Sequence, residues 1–319
     1  MLIEKAQPQD LSEIIEVLKR SLGEGLLPKS VEYFKWKHLQ NPFGSSVVLL
    51  ARVEGKIIGV RAFMKWTWVN SDHTITTVRA VDTATDPAHQ GKGIFTKLTM
   101  EAVKNCTEEK IPFVFNSPNT MSMPGYIKMG WYENGRLPLF VQLGSFFPRF
   151  YNQQKVTEFN AKYDIRKAIS QLPDNWKVKL NGADYHTPID KSYVEWRYRD
   201  CPAVQYGALI ESNQFGIIFR LKKWKNFLEC RICELWVESN CKESEVLEQW
   251  KQVLKDIRPL LVTCGASPGY HFSPSRPLRM YGPFKIGPMI TLRKMAETNL
   301  SPFNQFSQWM PSLGSIELF

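Results

Sequence analysis

The apolar positions of the chain switch between helical and strand spacing, and the switch points outline its elements. Leu11, Ile14, Ile15, Leu18 and Leu22 recur at helical spacing behind Asp10, a residue able to cap a helix start. A second helix is predicted over Ser30 to Leu39, with Trp36 as its large anchor. Asn41-Pro42-Phe43-Gly44 reads as a turn. Val47 to Val53, a Glu54-Gly55 turn and Ile57 to Trp68 read as a hairpin. Thr76 to Thr85 is rich in β-branched residues, and Arg79 to Thr85 continues the sheet. Ile94, Leu98, Ala102 and Cys106 then form a helix stripe, widened by Phe95 and Val103, that runs to about Lys110. The apolar run Ile111 to Phe115 predicts a strand buried on both faces, as in a parallel pair. Residues 116–135 read as a loop, a short helix and a strand start. Leu137 to Leu143 reads as the last strand of the first half, and 145–185 as a connection with a helix over Val156 to Leu172.

The pattern then repeats. Val31-Glu32-Tyr33-Phe34-Lys35-Trp36-Lys37-His38 matches Lys191-Ser192-Tyr193-Val194-Glu195-Trp196-Arg197-Tyr198, so that Trp36 pairs with Trp196 and Pro42 with Pro202 at an offset of 160. Gly59 pairs with Gly216 and Trp66 with Trp224 at offsets of 157 and 158. The second copy continues with a strand over Glu229 to Val237, a helix over Glu243 to Ile257 and a strand over Leu260 to Cys264. Two late strands follow, Met280 to Phe284 and Met289 to Leu292. The tail from Asn299 to Phe319 has no clear pattern.

Composition narrows the class. The chain has 319 residues, 43% hydrophobic and 23% charged, enough for two globular domains. It has no apolar run long enough to span a bilayer, and Met1 to Ala6 lacks the features of a signal peptide, so a cytoplasmic protein is expected. The formal charge of +10 suits an anionic ligand. The basic residues are scattered, which speaks against nucleic acid, and Lys222-Lys223-Trp224-Lys225 reads as a solvated hairpin end. Of six cysteines, Cys230 and Cys233 form a C-x-x-C without a second pair. Lying in a strand, they face opposite sides, so no metal is expected.

Between the strand ending at Thr85 and the helix starting near Ile94 lies His89-Gln90-Gly91-Lys92-Gly93-Ile94-Phe95. A glycine turn leading into a helix offers free backbone N–H groups at the positive end of the helix dipole, which is a phosphate site. Glycine keeps side chains out of the anion's way. The second copy has Glu238-Ser239-Asn240-Cys241-Lys242-Glu243 at this place, without a glycine.

The turn matches Q/R-x-x-G-x-G/A through Gln90, Gly91, Lys92, Gly93, Ile94 and Phe95, with Phe95 replacing a small residue. A second motif, N-x-x-A-x-x-x-Y-x-K-x-G-F, matches Asn119, Ser122, Tyr126, Lys128, Gly130 and Trp131, with Ser for Ala and Trp for Phe. On these two motifs the first half resembles the GNAT acetyltransferase superfamily, and the whole resembles tandem GNAT proteins in which one copy keeps the cofactor turn. The motifs span residues 76 to 131, and the fold pattern extends to about 145.

The resemblance implies an α/β fold: two GNAT-like domains, each a mostly antiparallel sheet with a splayed parallel pair and flanking helices. It divides the chain into a catalytic domain over 1–145, a connecting region over 146–185, a degenerate domain without phosphate turn over 186–298, and a tail over 299–319. It implies that Gln90 to Phe95 cradle the pyrophosphate of acetyl-CoA. The edge Thr83-Ala84-Thr85 would pair with the pantetheine arm, Asn119 would hydrogen-bond it, and Tyr126 would protonate the departing thiolate. Asp82 is a candidate base for the acceptor amine, directly or through water; its blander and preferred reading is a strand-end carboxylate that pairs with Arg79 or caps a turn. The expected reaction is direct attack of a small-molecule amine, such as an amino sugar or antibiotic-like acceptor, on the thioester. No motif cysteine offers a covalent carrier, and Cys106 sits on the apolar helix face. Two rivals remain: a Fem-like aminoacyl transferase, and a GNAT fold kept as a non-catalytic acyl-CoA-binding scaffold.

Overall fold

The computed structural model describes residues 1–23, 27–145, 150–178, 184–212, 214–238, 241–265, 278–296, 303 and 305–316. In chain order the first half contains β1 (Leu2–Lys5), α1 (Leu11–Leu22), α2 (Val31–His38), β2 (Val47–Val53), β3 (Lys56–Val69) and β4 (Thr74–Thr85). It continues with α3 (Ile94–Glu108), β5 (Phe113–Asn116), α4 (Met123–Lys128), β6 (Tyr132–Arg136) and β7 (Leu139–Leu143). The connection carries α5 (Gln153–Lys162), α6 (Ile165–Ser170) and β8 (Tyr185–His186). The second half contains α7 (Lys191–Val194), β9 (Gly207–Glu211), β10 (Phe215–Trp224), β11 (Phe227–Val237), α8 (Glu243–Ile257), β12 (Leu261–Gly265), β13 (Tyr281–Phe284) and β14 (Met289–Lys294). The tail adds β15 (Trp309–Met310) and α9 (Leu313–Ile316).

Two mixed sheets result. One runs β1-β2-β3-β4-β5-β14-β6, with β8 joined to β3 and β15 to β8; the other runs β13-β7-β12-β11-β10-β9. Each has the same inner order. β2, β3 and β4 pair antiparallel and β4 pairs parallel with β5 through α3. β9, β10 and β11 pair antiparallel and β11 pairs parallel with β12 through α8. A crossover helix is what a parallel pair needs, since a tight turn cannot join strands running the same way.

The sheets do not divide where residue 145 divides the chain. β7, the expected last strand of the first half, pairs with β12 in the second sheet. β14, from the second half, inserts between β5 and β6 in the first. The two halves thus exchange a strand. The cause is local: only Leu137-Pro138 separates β6 from β7. A two-residue hairpin needs positive φ at its first position and often its second, which leucine resists and proline forbids. The chain therefore runs straight on, and Leu137 N donates to Pro288 O at 3.0 Å where the exchanged segments cross.

The repeated tryptophans face one another across this arrangement. Trp36 and Trp196 stack at 5.3 Å, and each indole N–H donates to the other's backbone carbonyl, at 2.6 and 2.8 Å. Around them an aromatic core shared by both halves includes Trp66, Trp68, Phe115, Tyr193 and Trp309. Separate cores lie under α3 and under α8.

Three local expectations change. Asp10 does not cap α1 with its side chain; it ends a short 3-10 turn, accepts from Gln7 N at 2.8 Å and pairs with Arg52 at 2.6 Å. The helix expected over Val156 to Leu172 is two helices, because Asp164 turns the chain and caps α6 by accepting from Arg166 N. The tail packs inward: Trp309, Leu313 and Ile316 are buried. Cys230 and Cys233 belong to different cores on the two faces of the second sheet. Ser239 and Asn240, in the stretch that replaces the glycine turn, lie outside the described residues.

Candidate active site

The site forms where β4 and β5 part. Their parallel pairing covers Val78 with Val114 and Arg79 with Phe115, and stops there. Beyond it, the edge of β4 through Thr83, Ala84 and Thr85 is not paired by β5. A bulge sits at this fork: Ala62 opposes Val81 and Arg61 opposes Thr83, so Asp82 is the extra residue, with φ of 34°.

Asp82 is clamped from α2. Its carboxylate accepts from Lys37 Nζ at 2.9 Å and from His38 Nε2 at 2.7 Å. It does not pair with Arg79, whose Nη1 donates to Ser315 O at 2.7 Å and whose Nη2 donates to Ile316 O. Burial pushes the Asp82 carboxyl up, but the Lys37 charge and the His38 and Lys37 hydrogen bonds outweigh it and hold the group well below the usual carboxylate range. Burial lowers both Lys37 and His38, with Asp82 opposing. A neutral His38 must carry its proton on Nε2 to donate to a carboxylate, so Nδ1 accepts from Ser46 Oγ at 2.9 Å. Lys37, Arg79, Asp82 and Ser117 meet Arg220 and Arg231 of the second half around a cleft of about 390 Å³.

This clamp has a pH consequence. His38 is held neutral in the folded protein, whereas the unfolded chain takes up a proton below its ordinary value of 6.5. Its contribution to stability is therefore complete above that value and is lost as the pH falls toward the folded one. Denaturant titrations at about pH 7.5 and about pH 5.5 are expected to show a loss of stability on acidification that is smaller in His38→Asn. Part of the slope persists in the variant because buried His186 is lowered in the same way.

On the other side of the fork lies the glycine turn. Gly91 and Gly93 have φ of 76° and 73°, the left-handed region that side chains resist. Gly93 is the N-cap of α3. Among the described residues, the backbone N–H groups from Gly91 to Thr96 find no protein acceptor. That is a ready anion cradle at the start of a helix of 15 residues. Gln90 Nε2 ties the turn to the strand by donating to Thr85 O at 3.3 Å, and Lys92 Nζ donates to Ala88 O at 3.3 Å. Arg20 of α1 pairs with Asp86 just before the turn at 3.0 Å.

Tyr126 of α4 is buried in the core that holds Val78 and Ala80 of β4 and Val114 of β5. Its oxygen accepts from Arg61 Nη1 at 2.9 Å. Asn119 is exposed, and its Oδ1 accepts from Ser122 N and Ser122 Oγ, both at 2.9 Å, at the start of α4. The fork thus brings together the β4 edge, the glycine turn and Tyr126 on the α3 side, with Asp82 turned toward α2. Sequence reasoning missed Lys37, His38 and Arg61. Lys37 and His38 belong to the repeated segment, where Arg197 and Tyr198 stand at the same offset. Arg61 is a lone charge in the apolar run Ile57 to Met64.

The second sheet has a matching fork, and it is filled. Its bulge lies at Cys233, since Ile218 opposes Glu234 and Phe219 opposes Ile232. The α9 segment sits between β11 and β12 there: a Cβ on Gly314 would lie 1.9 Å from Tyr198 Oη and 3.1 Å from Cys233 O, and one on Gly265 3.2 Å from Leu313 N. Glu234 accepts from Tyr198 and Tyr193 hydroxyls at 2.6 and 3.0 Å, and burial pushes its carboxyl up.

Residues 3–133 match the family model of the acetyltransferase (GNAT) domain. Among solved structures, the chain is similar to a probable N-acyltransferase from Enterococcus faecalis V583, at 10% identity and a TM-score of 0.64 over 92% of this chain and 72% of that one. It is similar to a GCN5-related N-acetyltransferase from Anabaena variabilis, at 16% identity and a TM-score of 0.60 over the same shares. Eis1 from Mycobacterium abscessus matches at 13% identity and a TM-score of 0.53, over 92% and 74%. No curated protein matches. The structural likenesses establish the fold, and with the domain match they support an acyltransferase. Among the described residues no cluster of His, Cys, Asp and Glu could hold a metal ion, and no helix is long and apolar enough to cross a membrane.

Proposed function

We propose that the protein is an N-acetyltransferase that moves an acetyl group from acetyl-CoA to a small-molecule amine. The observation that carries this reading is the run of unpartnered N–H groups from Gly91 to Thr96 beside the fork of β4 and β5. A pyrophosphate fits that cradle, since positive φ keeps the turn open and no side chain crowds Gly91 or Gly93. The bound acetyl thioester supplies an activated acyl group. The edge of Thr83 to Thr85 pairs with the amide-bearing arm, and Asn119 borders it. Tyr126 gives its hydroxyl proton to the leaving sulfur. Asp82 faces the acceptor cleft with its charge intact and attracts a protonated amine. With Lys37 and His38 already donating to it, it is a weak base, and the amine's proton passes mainly to water. In this reading the second half is a degenerate copy whose fork is plugged by its own tail and whose sheet walls the acceptor cleft.

The test is an amine panel, including amino sugars and aminoglycoside-like acceptors, that follows release of the CoA thiol. Tyr126→Phe is expected to lower kcat about 10- to 100-fold with little change in acetyl-CoA affinity, because a thiol of ordinary acidity leaves without full assistance. A variant with undiminished turnover removes the general acid from the mechanism. Binding of acetyl-CoA with no turnover of any amine favours the non-catalytic scaffold instead.

A further inference from the structure

Arg61 is fully buried in the middle of β3. Its guanidinium carbon lies 4.9 Å from the ring centroid of Phe63, 5.4 Å from Tyr126 and 5.7 Å from Phe95. Nη1 donates to Tyr126 Oη at 2.9 Å, while Nε and Nη2 are buried with no hydrogen-bond partner. Among the described residues no carboxylate pairs with it. A buried cation without a counter-charge is costly, and three ring faces offset only part of that cost. Such a group is a fixed field aimed at whatever negative charge forms nearby.

The group nearest to it is Tyr126. One lone pair of the phenol oxygen already accepts from Arg61, so the phenol's own proton is directed away from the guanidinium. Phe95 stands edge-on to the Tyr126 ring, with centroids 5.5 Å apart and planes at 90°, and fixes its orientation. Phe95 occupies the turn position where the resemblance expects a small residue. Its ring is a wall of this cage.

We propose that Arg61 is a positioning residue for the transfer described above: it directs the Tyr126 proton toward the sulfur of the acyl donor and holds the phenolate that remains. The proposal rests on Tyr126 being the proton donor. In the step, the amine lone pair forms the new C–N bond and the C–S bond breaks with its electron pair on sulfur. Sulfur takes the Tyr126 proton, and the amine's surplus proton goes to water. The phenolate is held against the Arg61 charge until water reprotonates it.

The experiment compares binding of CoA and desulfo-CoA, which differ by the sulfur, to the intact protein by calorimetry at about pH 8.5, where part of the free thiol is ionised. The wild type is expected to prefer CoA about tenfold, as a charge-assisted hydrogen bond to thiolate would give. Arg61→Met is expected to bind desulfo-CoA as the wild type does and to lose the preference. Tyr126→Phe is expected to lose it too, and the double variant to lose no more than either single. Equal weakening of both ligands in Arg61→Met, a retained preference, or a further loss in the double variant overturns the proposal. If methionine is not accommodated in the fold, Arg61→Gln keeps a donor for Tyr126 without the charge, and a retained preference there overturns it as well. A wild type that binds both ligands without preference overturns this proposal and leaves the cofactor reading standing. A wild type that binds neither overturns both.

Discussion

Gly93→Glu is expected to weaken acetyl-CoA binding by at least about 100-fold while the protein stays folded. A Cβ at Gly93 meets nothing within 4 Å, so the side chain has room. The φ of 73° makes any side chain there cost about 1 kcal/mol, and a carboxylate at the start of α3 recovers part of this through the helix dipole. The same carboxylate sits in the N–H cradle and repels a pyrophosphate at close range. Calorimetry with acetyl-CoA measures the loss, and thermal melting checks that the fold survives. Gly93→Ala, which carries the strain without the charge, is expected to keep most of the affinity. If Gly93→Glu binds acetyl-CoA normally, the turn is not the phosphate site.

Trp36→Ala is expected to destabilise the whole chain by about 4 kcal/mol. Trp36 is 2% exposed and stacks on Trp196 and on Tyr33; its indole N–H donates to the Trp196 carbonyl, and its own carbonyl accepts from the Trp196 indole. Removing the indole opens a cavity in the core shared by both halves and leaves the Trp196 carbonyl without that donor. Trp36→Phe keeps a ring and loses the bond, and is expected to cost about 1.5 kcal/mol. Denaturant unfolding followed by a signal from each half checks this. The strand exchange ties the sheets together, so one common transition is expected in the wild type. A loss below about 1 kcal/mol for Trp36→Ala would mean that the two halves are held together elsewhere.

Much of the inner order of each sheet was legible because it rests on short-range chemistry. The hairpin of β2 and β3, the crossover helix α3 and the glycine turn each come from periodicity and turn residues within about 20 positions. Trp36 and Trp196, which the sequence singled out as a matched pair, stack on one another in the fold. The exchange of β7 and β14 was not. Leu137-Pro138 is a poor hairpin turn, which tells where the chain cannot reverse but not which strand will accept it. Likewise, the split at Asp164 was hidden because both halves of the helical stretch keep apolar periodicity.

The candidate site divides in the same way. Gln90 to Phe95 make one turn and the start of α3, and Asn119 precedes the short helix α4 that carries Tyr126, so local spacing was enough to single them out. Asp82 was visible as a carboxylate on the motif strand, yet its partners were not. Lys37 and His38 are 45 and 44 residues away and reach it only because α2 packs beside the bulge. Their approach turns an apparent base into a clamped anion.

The amino-acid sequence by itself determined most of the elements and the glycine turn before α3, because each depends on residues close together in the chain. The tertiary structure decided which strand completes each sheet, what fills the second fork and what surrounds the reactive side chains. Those outcomes depend on burial and on contacts between distant residues, for which the sequence carries no local mark. Phe95 shows the boundary. In the chain it is a bulky residue in a turn that favours a small one; in the fold it is a wall of the cage that holds Tyr126 against Arg61.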